Sequence, residues 1–77
     1  MKIFAYQHNG CVAAVAVGDS INIYRVPARS IQPNDGEVTG EAMSLVVRTA
    51  NAFEGHVNPD FRKALEGAIE LLHREGR

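Results

Sequence analysis

Tryptophan is absent, cysteine occurs once, and aromatic residues of all kinds make up 6% of the 77 residues. The lone Cys11 excludes an intramolecular disulfide framework, so the fold is expected to rest on packing alone. No apolar run approaches the ~20 residues of a membrane-spanning helix. Gln7, His8 and Asn9 interrupt the short apolar N-terminus before a signal-peptide core can form. A cytoplasmic location without membrane association is the resulting expectation. An excess of one charge is missing too: eight Lys and Arg stand against nine Asp and Glu, a formal net charge of -1. That balance argues against a non-specific polyanion binder driven by counterion release. A mild asymmetry remains, since up to Arg29 three basic residues face one acid, whereas the remainder carries five basic and eight acidic residues.

What is present is an ordinary globular composition, 45% hydrophobic and 22% charged, with no low-complexity stretch. One domain over residues 1–77 is expected. A chain of this size buries only about 60% of the surface it exposes unfolded, so its core is modest.

The chain is organised around Cys11-Val12-Ala13-Ala14-Val15-Ala16-Val17, apolar at every position and too short for a stable lone helix. It reads as a central strand, bounded by turn residues on both sides. Before it, residues 1–8 alternate loosely and are rich in β-favouring types. Asn9-Gly10 between the two strands is a strong hairpin signal, because a type I′ turn needs positive φ at both central residues. Those two residues as the turn set a register: His8 opposite Cys11, Tyr6 opposite Ala13, Phe4 opposite Val15 and Lys2 opposite Val17, all on one face. Ile3, Ala5, Gln7, Val12, Ala14 and Ala16 form the other.

Gly18-Asp19-Ser20 is a second turn, followed by Ile21 to Val26 as a third strand ended by Pro27. A two-residue loop puts Ile21 and Ile23 with Ala14 and leaves Tyr24 with Phe4 and Tyr6; a three-residue loop reverses this. The first is favoured, because it gives branched aliphatics spaced by alanines on which helices can sit. Residues 27–40 hold turn chemistry throughout, with Ile31 and Val38 as apolar anchors, and read as an ordered loop or short edge strand.

Two helices follow. The first runs from a cap at Thr39 to about Phe53, burying Met43, Val46, Val47, Ala50 and Phe53 and turning Leu45 outward. The second is sharply punctuated by Asn58 as N-cap, Pro59 at the first helical position and Asp60 at the positive end of the dipole. Its apolar stripe is Phe61, Leu65, Ala68, Ile69 and Leu72, flanked by Ala64 and Leu71. Gly67, costing about 1 kcal/mol relative to Ala in mid-helix, predicts a close crossing with the first helix. The predicted fold is α+β: a three-stranded antiparallel meander followed by two antiparallel helices packed on one face (β-β-β-α-α) in two layers.

Catalytic signatures are sparse. His8 and Cys11 face each other across the hairpin, and such a pair can activate a thiolate or begin a zinc site. Neither is completed, since His56 and His73 stand singly on a loop and a helix end. Asp19, Asp35 and Glu37 sit on loops without the cleft that paired-carboxylate chemistry needs. Gly36 to Gly40 lacks the glycine and lysine spacing of a phosphate loop. The expectation is a non-enzyme without catalytic residues, metal or cofactor.

The aromatics carry the functional expectation. With two apolar sheet faces and one helical layer, Phe4, Tyr6, Val15, Tyr24 and Arg25 are predicted to form an interaction surface. The predicted function is a protein-interaction module, binding a larger protein or pairing as a homodimer through that face. A nucleic-acid-associated regulator is the alternative, in which the aromatics stack bases and Lys2, Arg25 and Arg29 supply charge. A small His/Cys metal or enzymatic protein comes third. The layout, a near-neutral sheet followed by two helices, resembles that of small phage- or mobile-element-encoded inhibitors, some anti-CRISPR proteins among them. That resemblance implies inhibition by covering a surface of a larger protein, and carries no individual residue over.

Overall fold

A computed structural model describes residues 2–26, 34–49, 51–52 and 59–75. Along the chain these form β1 (Lys2–His8), β2 (Cys11–Val17), β3 (Ile21–Val26), β4 (Gly36–Glu37), α1 (Glu41–Thr49), β5 (Asn51–Ala52) and α2 (Pro59–Glu75). The strands make one antiparallel sheet in the order β4-β1-β2-β3-β5. The class is therefore α+β.

The first hairpin forms as its turn chemistry dictates. Asn9 and Gly10 take φ of 48° and 82°, the left-handed conformations of a type I′ turn, and the register pairs His8 with Cys11 through Lys2 with Val17. The second hairpin departs from expectation. Val17 pairs with Ile21 and Ala14 with Tyr24, so all three of Gly18, Asp19 and Ser20 form the loop. One added loop residue shifts the alternation by one position and moves every β3 side chain to the opposite face. Ile21, Ile23 and Arg25 thereby join Phe4, Tyr6 and Val15, while Asn22, Tyr24 and Val26 join Ala5, Val12 and Ala14.

The helices also divide. Ala13, with Cys11 and Ile23 beside it, packs against Phe61, Ala64 and Leu65 of α2. Ala5, Val12, Ala14 and Val26 pack with Val38 and with Val46 of α1, flanked by Ile3, Tyr24, Ala42 and Met43. The two-layer arrangement with both helices on one face is thus replaced by three layers, α2 over the Phe4 face and α1 over the Ala14 face. A sheet apolar on both faces must bury both, and this chain does so with one helix per face.

Local details explain the division. Helix α1 begins at Glu41, where the Met43 N–H donates to the Gly40 carbonyl at 3.1 Å, and it ends at Thr49. It does not extend to Phe53, because Asn51 and Ala52 pair with Arg25 and Tyr24 as edge strand β5. Val46 is its fully buried side chain, whereas Val47, expected inside, is 49% exposed. The loop before α1 supplies the other edge: β4 pairs with Tyr6 and Gln7, and the Val38 N–H donates to the Ala5 carbonyl at 3.0 Å. Val38 is buried as anticipated; Ile31, Ala50, Phe53 and the Asn58 cap lie outside the described residues.

Helix α2 starts at Pro59, as its punctuation predicts, but its buried line is Phe61, Ala64, Ala68 and Leu71. This is a rotation toward the small residues, leaving Leu65, Ile69 and Leu72 half-buried on one flank. Gly67 accounts for the rotation. A Cβ built there would stand 2.5 Å from Cγ and Cδ1 of Tyr6, inside any tolerable contact. Its close approach is to the sheet rather than to the first helix. Ala64, Gly67 and Ala68 let the helix backbone come down over the Tyr6 ring.

Candidate interaction surface

Of the predicted surface residues, Phe4, Tyr6, Val15 and Arg25 share one face of the sheet and Tyr24 lies on the other. Val15 is 1% exposed and Phe4 is 9% exposed, both on the side of the sheet that α2 covers. Tyr6 is half-buried against Gly67. Tyr24 is half-buried on the opposite face, beside the α1 cluster. Arg25 is exposed opposite Ala13, on the Phe4 face, to which the three-residue loop brings it. The reason is the pair of changes already described: α2 fills the aromatic face, and the three-residue loop turns Tyr24 away from it.

Leu45 and Val47 are exposed on α1, and a further exposed apolar side chain, Ile21, lies one strand along the Phe4 face. Helix α2 lies against β1 and β2, and beyond them β3 presents Ile23, half-buried, and Ile21, 64% exposed. Leu65 packs in the same cluster as Ile23, which shows that the Leu65 flank of α2 is the one turned toward β3. Ile69 and Leu72 continue that flank at four and seven residues from Leu65. Floor and wall together make an apolar strip: Ile21 and Ile23 from the sheet, Leu65, Ile69 and Leu72 from the helix. Arg25 closes the floor at the end nearer the first hairpin. Sequence reasoning missed this strip because it placed Ile21 and Ile23 under the helices. The signal that could have found it is the spacing of Ala64, Gly67 and Ala68, three small residues on one helix face that call for a bulky partner below.

At the hairpin tip a second group of side chains converges. The Asn9 N–H donates to Asp35 Oδ1 at 2.8 Å, and Asn9 Nδ2 donates to Asp60 Oδ2 at 3.1 Å. The two nitrogens of His8 face the same carboxylates, Nδ1 at 3.7 Å from Asp35 and Nε2 at 3.9 Å from Asp60. Both separations exceed hydrogen-bonding distance, and the groups are partly exposed, so the arrangement ties the β1–β2 turn to the β4 loop and the start of α2 only lightly. Below it Gln7, buried on the α1 side, donates from Nε2 to the Asn34 carbonyl at 3.2 Å. Cys11 stands opposite His8 in the register, yet both imidazole nitrogens face carboxylates. Among the described residues no three His, Cys, Asp or Glu side chains converge as metal ligands, and no helix is long and apolar enough to cross a membrane.

Comparison with protein-family models, curated proteins and solved structures returns no match. The strip between β3 and α2 is therefore assessed on its chemistry. The strip combines aliphatic side chains with the exposed Arg25 at one end, a chemistry that can supply apolar contact and an orienting charge.

Proposed function

We propose that this chain is a non-catalytic protein-interaction module that binds a protein surface through the β3–α2 strip, with exposed Ile21 at one end of its floor and Arg25 at the other. The observation that carries this reading is the exposure of Ile21: a branched aliphatic 64% exposed on the same face as half-buried Ile23, Leu65, Ile69 and Leu72. Isolated exposed aliphatics are ordinary on folded proteins, whereas a contiguous row beside a helix flank is the pattern of a docking site. Inhibition of a larger protein by covering its surface is one use of such a site, and pairing with a second copy is another. The nucleic-acid alternative is the weaker reading, because Phe4 is buried and the Tyr6 ring is apposed to Gly67, so these two aromatics do not form an open stacking platform.

The test compares wild type with Ile21→Glu and with Glu70→Lys, a change on the exposed side of α2, by light scattering over a range of concentrations and by affinity isolation from the source cells. The reading predicts a complex heavier than the 8.4 kDa chain, lost in Ile21→Glu and kept in Glu70→Lys. A monomer at every concentration, with no protein retained in an Ile21-dependent manner, overturns it.

A further inference from the structure

We draw no further inference here: the strongest candidate, the side-chain cluster at the β1–β2 hairpin tip where His8 faces Asp35 and Asp60, is a partly exposed group of acids around one imidazole, and no second observation in the structure points to a ligand for it.

Discussion

The two faces of the sheet are covered in different ways. On the Phe4 side, α2 contributes Phe61, Ala64, Ala68 and Leu71 to the buried core over a helix of 17 residues. On the Ala14 side, α1 is 9 residues long and contributes Val46 as its fully buried side chain, with Ala42 and Met43 at the margin. Both helices are amphipathic, so periodicity alone does not separate them. What separates them is punctuation and fit. Both have an acid in the first turn, but α2 also has a proline start and a line of small residues matched to Tyr6, whereas α1 is cut short where the chain is drawn into β5. Stability should therefore be concentrated between α2 and the sheet, with α1 the region that opens at lower cost.

Truncating the core on each side gives the largest expected effects and the clearest difference. Phe61→Ala should cost about 3–5 kcal/mol, comparable with the whole stability of a domain this small, whereas Val46→Ala should cost about 2 kcal/mol. Urea unfolding followed by circular dichroism checks both. Equal losses on the two sides would remove the asymmetry.

The next effect is smaller and more specific. At an ordinary mid-helix position, Gly67→Ala gains about 1 kcal/mol from propensity. Here the added methyl meets the Tyr6 ring, and overpacking of that kind costs about 1–3 kcal/mol. The net change should be destabilising in wild type and should reverse to neutral or stabilising in a Tyr6→Val background. A double-mutant cycle measures the coupling; the same Gly67→Ala effect in both backgrounds would refute the contact.

Smallest of all should be the hairpin tip. Asp60→Asn removes a partly exposed charge facing His8 and a favourable interaction with the start of α2, worth about 0.5–1 kcal/mol together. Asp35→Asn, which leaves an acceptor for the Asn9 N–H, should cost less than about 0.5 kcal/mol. Thermal melts at low and high salt should show the Asp60 effect shrinking as salt rises; a loss of several kcal/mol from either change would mean that the tip organises the fold.

How much of this was legible in the sequence follows the same physical divide. The first hairpin was readable to the residue because Asn9-Gly10 admits few conformations, and the start of α2 was readable because proline and an acid suit a helix N-terminus. The loop Gly18-Asp19-Ser20 is compatible with two hairpin geometries, and the two-residue form favoured on the face pattern is not the one adopted, so the face of β3, and with it the place of Tyr24, Ile21 and Ile23, depends on packing that short-range chemistry does not encode. Strands β4 and β5 are two residues each and exist only because β1 and β3 offer free edges. Tertiary pairing of Asn51 and Ala52 overrode a helical pattern running toward Phe53. The expected interaction surface follows the same divide: Phe4, Tyr6 and Val15 lie on the face that α2 covers, and the three-residue loop exchanges Tyr24 for Arg25 on that face.

The placement of Tyr6 beneath α2 decides which helix covers the Phe4 face and which apolar strip beside β3 stays uncovered. Proton NMR on the intact chain reads it directly. Nuclear Overhauser contacts between the Tyr6 ring protons and the Gly67 Hα protons, with the Hα resonances displaced by the ring current and no contact from Tyr24 to α2, are the predicted result. A Tyr24 ring in contact with α2, or a Tyr6 ring with none, would contradict the account.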